Sequence, residues 1–537
     1  MLTASSIFAA AIVMFPAHSP EGSADRARVL AAQTARIQTI RKLSPTVACV
    51  FNKGEQGGGG SGVIIDADGY GLTNFHVVAG MLKERKGDIG LAGGRLIEME
   101  VLGIDPGGDV AMFRIDPKEV SETAILGDSD ELTVGDYTLA LGNPFGLADD
   151  YSPTVTHGII SGLHRFQPGV RGALTYTDCI QVDTSINPGN SGGPLFDMAG
   201  RLVGINGRIS VEERSRVNVG VGFAITINQI KRFMPMLRAG IATPHAAAGF
   251  TVRDQALKVL VDEIENDSAA RLAGLRRGDE LIRFAGRDIR CANDYLNVLG
   301  ALPANWPVEV VYRRGEEVRC FDVRLAAMPL PKLTRDAPGH PKPSFDPYGP
   351  HPVTSKANRR AVRRAIDLFQ HATNSKRVID ELGGVHARGA RVLTGAADGS
   401  ADKVDWKVAL DVSLTSDAPA IPDEIEARVW ATLFRAKSRS DRDAFEVIAS
   451  DEVRDRIAVV LEQEVADGPP RRLAFDDETG DLLAVEFKHE GTGLSFRYEY
   501  GEFKTAGALR MPHARWIYRG KDLFAEDRFE EVTVLRK

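Results

Sequence analysis

The sequence predicts a mainly β fold: two β-barrels, then a small α/β unit, then an α+β region of mostly antiparallel strands. Three observations carry this. From Thr46 onward the chain breaks into short alternating strands punctuated by glycine, as a barrel sequence does. Residues 246–328 read as a compact second unit. Between Pro329 and Pro352 stand eight of the chain's 27 prolines, which marks a semi-extended linker and a domain boundary.

The elements follow in order. Ile7–Phe15 is a short apolar run, too short for an ordinary membrane-spanning helix. With Gly22-Ser-Ala24 as a small-x-small site, residues 1–24 read as a signal segment, although no Lys or Arg precedes the run. An uncleaved anchor, or a plain apolar N-terminal helix, is the competing reading. Residues 25–44 form a helix whose Val29, Ile37, Ile40 and Leu43 fall at helical intervals. The two barrels take 45–240 and close on a helix at Ile230–Ala239, the second unit takes 246–328 and the linker 329–352. A helix over Lys356–Leu382 then opens the region 353–537, which alternates like antiparallel strands at Phe475–Leu483 and Phe496–Phe503.

Composition sets limits. With 537 residues, three or four domains of about 100–200 residues are expected. A formal charge of −7 argues against a general nucleic-acid binder. Four cysteines are too few for a disulfide scaffold, although Cys291 and Cys320 share a unit and could pair. No Cys/His spacing suggests a metal, no cofactor is implied, and the scattered His371, His386, His489 and His513 lack ligand spacing.

The chemistry concentrates in three segments: Leu72-Thr-Asn-Phe-His76-Val-Val, Gly108-Asp109-Val-Ala-Met-Phe-Arg-Ile, and Asp183-Thr-Ser-Ile-Asn-Pro-Gly-Asn-Ser191-Gly-Gly-Pro-Leu. A serine hydroxyl is a poor nucleophile unless a base removes its proton as the bond forms. Imidazole suits that task because it accepts and returns a proton near neutrality. A carboxylate then fixes the imidazole tautomer. The order His76, Asp109, Ser191 is that of the chymotrypsin lineage. Asp105 competes for the third role but sits in an Asp-Pro-Gly-Gly turn and reads as structural. The backbone N–H groups of Gly189 and Ser191, with Asn190 between them, are the candidate oxyanion hole.

These segments resemble the HtrA/Deg family of trypsin-like serine proteases. So do Gly60-Ser-Gly-Val-Ile-Ile-Asp, Leu141-Gly-Asn-Pro-Phe-Gly-Leu, Thr154-Val-Thr-His-Gly-Ile-Ile-Ser-Gly and Gly220-Val-Gly-Phe-Ala-Ile, together covering roughly residues 35–240. The resemblance implies a chymotrypsin-like double β-barrel with a switchable oxyanion loop. It also implies an exported, periplasmic or cell-envelope enzyme acting on unfolded or misfolded proteins, and a homo-oligomer such as a trimer. Asn190 stands where digestive relatives carry an aspartate, and no Ile-Val-Gly-Gly site precedes the barrel, so zymogen cleavage is not expected. Ser185, six residues before the nucleophile, would floor the specificity pocket, and Val221 would narrow one wall. An uncharged, narrow pocket favours Val, Ala or Ile over Lys or Arg. Arg208 and Arg214 lie in a nearby loop and read first as solvated charges. Asp149–Pro153, His157 and His164 depart from the family pattern.

Ala247-Ala-Gly249-Phe250 and Ser268–Phe284 resemble a PDZ domain. That implies binding of C-terminal peptides by strand addition, with Gly249 in the carboxylate loop and Phe250 lining the pocket; the plainer reading is a packing module. Residues 353–537 are faintly similar to LolA-like half-barrels, which implies a lipid or envelope ligand. Two rivals to a serine endopeptidase stand beside it. One is a protease-fold chaperone that holds envelope proteins with little turnover, and the other is a C-terminal sensor with the protease as effector. The barrel pair is expected to be self-contained, so that removing 246–537 would leave it folded.

Overall fold

In the computed structural model the described residues are 20–54, 59–143, 148–167, 176–209, 220–330, 346–373, 382–393, 401–409, 426, 429–430, 433, 436, 442–465, 468–489, 493–506, 509–520 and 522–536. Helix α1 (Pro20–Leu43) leads to the first barrel. Only Ile40 and Leu43 of its apolar positions pack on the core, while Val29 and Ile37 stay exposed. The helix projects from the body, so its expected apolar face is buried at one end alone.

Six strands close the first barrel: β1 (Val47–Asn52), β2 (Gly60–Ile64), β3 (Tyr70–Thr73), β4 (Lys86–Leu91), β5 (Arg95–Asp105) and β6 (Val110–Arg114). A single-turn helix, α2 (Phe75–Val78), follows β3. The second barrel adds β7 (Ile125–Leu126), β8 (Tyr137–Gly142), β9 (Thr154–Gln167), β10 (Tyr176–Val182), β11 (Pro194–Asp197), β12 (Arg201–Ile209) and β13 (Gly222–Thr226). Its order is β11-β8-β9-β10-β13-β12, closed by β11 pairing with β12, and β7 joins the edge. Closure removes free strand edges, so neither barrel needs a disulfide. Cys49, Cys179, Cys291 and Cys320 are all free thiols, so the Cys291–Cys320 pairing does not form.

Helix α3 (Ile227–Arg238) closes the barrels, burying Ile230, Phe233 and Leu237. Next come β14 (Ala246–Ala247), β15 (Phe250–Gln255), β16 (Lys258–Ile264), α4 (Ala269–Leu272), β17 (Glu280–Phe284), β18 (Arg287–Asp288), α5 (Ala292–Gly300), β19 (Pro307–Arg314), β20 (Glu317–Arg324) and β21 (Ala326–Ala327). The sheet runs β15-β16-β17-β19-β20, with β15 on its edge beside α5, where Tyr295 donates to the Phe250 carbonyl at 2.8 Å.

Helix α6 (Pro352–Ala372) ends at Thr373, and Leu382 already belongs to a strand, so the expected helix over Lys356–Leu382 is shorter and earlier. His351 caps it with Thr354, and proline occupies its first turn, where a missing N–H costs nothing. The strands β22 (Leu382–Leu393), β23 (Ala401–Ala409), β24 (Phe445–Val453), β25 (Arg456–Gln463), β26 (Arg471–Asp476), β27 (Leu482–Lys488), β28 (Ser495–Gly501), β29 (Lys504–Ala506), β30 (Leu509–Met511), β31 (Ala514–Arg519) and β32 (Asp522–Arg536) follow. All but β29 and β30 form one antiparallel sheet of nine strands. Phe369 of α6, with Val429, Trp430 and Leu433, packs into the sheet's core against Phe475 and Tyr500.

This region does not hang apart from the barrels. Val353 and Ala357 of α6 are buried in the same cluster as Met234, Met236 and Leu237 of α3. Gly240 permits the approach, since a Cβ there would lie 2.9 Å from the Thr354 Cα. The last helix of the barrel pair is thus covered by a segment more than a hundred residues downstream, a contact that the expectation of a self-contained pair did not include.

Candidate active site

His76 is presented by the turn of α2, immediately after β3 ends at Thr73. Asp109 sits just before β6, fully buried and in a left-handed conformation with φ of 58°. Aspartate tolerates that region better than most residues. Its carbonyl accepts from Asn74 Nδ2 at 2.9 Å and from the Phe75 N–H at 3.1 Å. Its carboxylate accepts from the His76 N–H at 3.0 Å and stands 2.8 Å from His76 Nδ1. With Nδ1–H donating to Asp109, the neutral ring keeps a lone pair on Nε2. Burial pushes the His76 pKa down, but the charge of Asp109 and its hydrogen bond outweigh this and leave it raised above 6.5. The ring still shows 42% of its side-chain surface to solvent.

Asp105 is occupied elsewhere. Its Oδ1 accepts from the N–H groups of Gly107 (3.1 Å) and Gly108 (2.9 Å), closing the turn, and lies 2.7 Å from His245 Nε2.

Ser191 lies between β10 and β11, half-buried. Its Oγ donates to the Gly207 carbonyl at 3.1 Å, and among the described residues no hydrogen bond joins it to His76. For Ser191 to pass its proton to the imidazole, its hydroxyl must first leave the Gly207 carbonyl. The loop before it turns through Asn187-Pro-Gly-Asn190, closed by the Asn190 N–H to the Asn187 carbonyl at 2.9 Å, with Gly189 at φ of 101°. Only glycine takes that φ without strain. Asn190 is thereby removed from the expected oxyanion set, because its N–H is spent inside the turn. Among the described residues the N–H groups of Gly189 and Ser191 meet no protein acceptor.

Two residues at this site were missed by sequence reasoning. Ser61, fully buried in β2, donates to the Gly189 carbonyl at 2.6 Å, while its N–H reaches the Ser191 carbonyl at 2.8 Å. Tyr176, the first residue of β10, donates its hydroxyl to Asp109 Oδ2. Ser61 stands inside the Gly60-Ser-Gly motif; Tyr176 carries no signal in the sequence.

Ser185 is exposed and its carbonyl accepts from Thr156 Oγ1 at 2.9 Å. Val221 is half-buried against the barrel core. The two flank a contact in which a Cβ on Gly222 would lie 2.8 Å from Ile186 Cδ1. The Arg208 side chain and Arg214 lie outside the described residues. Gly249 takes φ of 70° and its carbonyl accepts from the Glu265 N–H at 2.9 Å. Phe250 is 6% exposed, with its ring among Phe284 and Tyr295, so it fills the core of its unit rather than an open groove. No group of three or more His, Cys, Asp and Glu side chains among the described residues is placed to hold a metal.

The profile of the trypsin-like peptidase domain matches residues 60–205. A protein of Pseudomonas putida (strain W619), named a probable periplasmic serine endoprotease DegP-like, is 36% identical over 283 residues, 50% of this chain and 56% of that protein. The chain thus spans little more than half the length of that relative. A Halomonas elongata protein of the same name is 31% identical over 362 residues, 60% of this chain and 73% of that one. Among solved structures, the HtrA-type protease AlgW with tripeptide is 31% identical, with a TM-score of 0.46, covering 55% of this chain and 98% of that one.

Proposed function

Because this chain belongs to the DegP-like HtrA family of serine endoproteases, we propose that it is itself a serine endopeptidase that cuts unfolded or damaged proteins outside the cytoplasm. The observation that carries the reading is the His76–Asp109 pair in the first barrel, set beside a Ser191 loop whose two flanking N–H groups are unspent. Ser191 turns from Gly207 to His76, and neutral Nε2 takes its proton as Oγ attacks the scissile carbonyl. The N–H groups of Gly189 and Ser191 receive the oxyanion, a contribution of roughly 3–4 kcal/mol for one such donor. Protonated His76 then hands its proton to the leaving amine, and water releases the acyl group by the reverse path. Asp109 holds the tautomer throughout.

Ser185 and Val221 belong to the primary pocket in this reading, so cuts fall after Val, Ala or Ile. The relatives' names support a periplasmic location. The unit at 246–328 acts as a PDZ-type binder: β15 is an unpaired sheet edge beside α5, to which a C-terminal peptide adds as a strand. Assembly into a homo-oligomer fits the exposed Val29, Leu30 and Ile37 on α1. An acyl-chain ligand at 353–537 is not part of this reading, since Phe369, Val429, Trp430 and Leu433 fill the core against the sheet.

The test is fluorophosphonate labelling and casein degradation by the wild type beside Ser191→Ala. Labelling and degradation that both vanish in Ser191→Ala are expected, with mass spectrometry of the digest showing cuts after Val, Ala or Ile. Casein held soluble but uncut by an unlabelled wild type would mean a holdase. A predominance of cuts after Lys or Arg would remove Ser185 and Val221 from the pocket.

A further inference from the structure

Tyr176 and the strand end that carries it form a tie between the second unit and the Asp109 carboxylate. His76 and Asp109 both belong to the first barrel, whereas Tyr176 opens β10 in the second. Among the described residues, the Tyr176 hydroxyl is the one group of the second barrel that hydrogen-bonds this carboxylate. The ring has room because residue 207 is glycine: a Cβ there would lie 2.5 Å from Tyr176 Cε1 and 2.9 Å from its hydroxyl oxygen. The carbonyl of that same glycine takes the Ser191 proton donor. Tyr176 therefore stands between the buried carboxylate and the strand that parks the nucleophile.

What aims Tyr176 is the irregular strand behind it. β10 loses register with β9 between Tyr176 and Cys179, and such a bulge re-aims the side chains on either side of it. Asp178, inside the bulge, holds φ of 53°. Residues of the second unit grip this stretch directly. Arg287 binds the Asp178 carboxylate at 2.6 and 3.0 Å, and Asn297 of α5 accepts from the Asp178 N–H at 2.9 Å. Asn297 also donates to the His164 carbonyl at 2.7 Å, and His164 Nδ1 meets Asp178 at 2.7 Å. The last residue of α5, Gly300, sits so close that a Cβ would lie 2.4 Å from Thr177 Cγ2.

We infer that Tyr176 is a positioning residue for the Asp109–His76 pair, and that the seating of residues 287–300 on Thr177 and Asp178 keeps it aimed. The inference rests on the protease reading for its effect on rate, but not for its effect on His76. A phenol donating to a carboxylate fixes the carboxylate's rotation and shares its negative charge. Without that donor the carboxylate attracts the imidazolium more strongly and orients the neutral ring less firmly. The charge of Asp109 and its hydrogen bond are what raise the His76 pKa against burial, so the His76 titration reports on that carboxylate.

Tyr176→Phe keeps the ring and removes the donor. In the full-length protein, its His76 imidazole, followed by NMR of histidine-labelled protein and assigned with His76→Ala, is expected to titrate at higher pH than in the wild type. kcat/KM on a small chromogenic substrate with Val at the cut should fall roughly 10-fold, the worth of one hydrogen bond to a charged group, with its acid limb displaced upward. Arg287→Ala, which leaves Tyr176 in place but frees Asp178, is expected to move the His76 titration in the same direction by less. An unmoved titration in Tyr176→Phe overturns the inference, even if the rate falls, because lost packing alone would lower the rate at every pH. An unmoved titration in Arg287→Ala overturns the part assigned to the second unit. A shifted titration in a protein whose Ser191 never labels overturns the protease reading and leaves this one standing.

Discussion

At the scale of single residues, the site depends on how three polar side chains divide their hydrogen bonds. Replacing Ser191 or His76 by alanine is expected to lower kcat by at least ~10⁴-fold with the melting temperature preserved. Asp109→Asn should be of similar severity, about 10⁴-fold, because an amide stabilises the wrong imidazole tautomer. Asp105→Asn should instead spare kcat and lower stability, since Asp105 serves two turn N–H groups and His245. Steady-state kinetics beside thermal melts separate the two carboxylates. The acid limb of kcat/KM is a second readout. His76 must be neutral to accept the proton, and Asp109 raises its pKa above 6.5. Activity is therefore expected to fall off below a pH higher than that of an ordinary histidine, and a limb at or under 6.5 would contradict the pairing.

Between elements, the joint from α3 to the second unit turns on His245. Its Nδ1 lies 2.7 Å from the Gly300 carbonyl and its Nε2 2.7 Å from Asp105. Both neighbours only accept, so both ring nitrogens are satisfied as donors only in the imidazolium form. Burial pushes the His245 pKa down, yet Asp105 and the Gly300 carbonyl overcome it and leave the pKa raised. A raised folded pKa contributes stability that is complete below the unfolded value near 6.5 and is lost as pH rises through the folded value. His245→Gln, which keeps a donor but no charge, should cost about 1–3 kcal/mol at pH 6 and much less at pH 9. Thermal melts of both proteins across that range check the sign. The second unit should detach more readily from the barrels at alkaline pH, read by amide exchange around Gly300.

For the whole molecule, the third region packs on the first. α6 inserts Val353 and Ala357 beside α3, and Arg324 of β20 grips Asp451 of β24 at 2.9 and 3.1 Å. A chain ending at residue 330 is therefore expected to expose Met234, Met236 and Leu237 and to aggregate or melt early. Val353→Asp tests the same contact in the intact chain. It buries an unpaired charge, should cost at least about 2 kcal/mol, and should lower the melting temperature of the barrels themselves. An unchanged barrel transition in that variant would mean that α6 merely rests on the surface.

The sequence by itself determined what is local. Glycine-spaced strands, the Pro-Gly turn ahead of Ser191 and the segments around His76 and Asp109 are read from neighbours a few residues apart, and each shape follows from short-range backbone constraint. Folding alone decided what depends on closure. Tyr176 lies 67 positions from Asp109, and Ser61 128 from Gly189. Nothing near either residue in the chain announces these contacts, because they exist only once two barrels are shut against each other. The same holds for the proline-rich stretch at 329–352. Residues 331–345 of it lie outside the described residues, and composition carries no information on where the chain goes next. Burial of α6 against α3 is decided by apolar area on both surfaces at once. That area joins two surfaces that lie on either side of the proline-rich stretch.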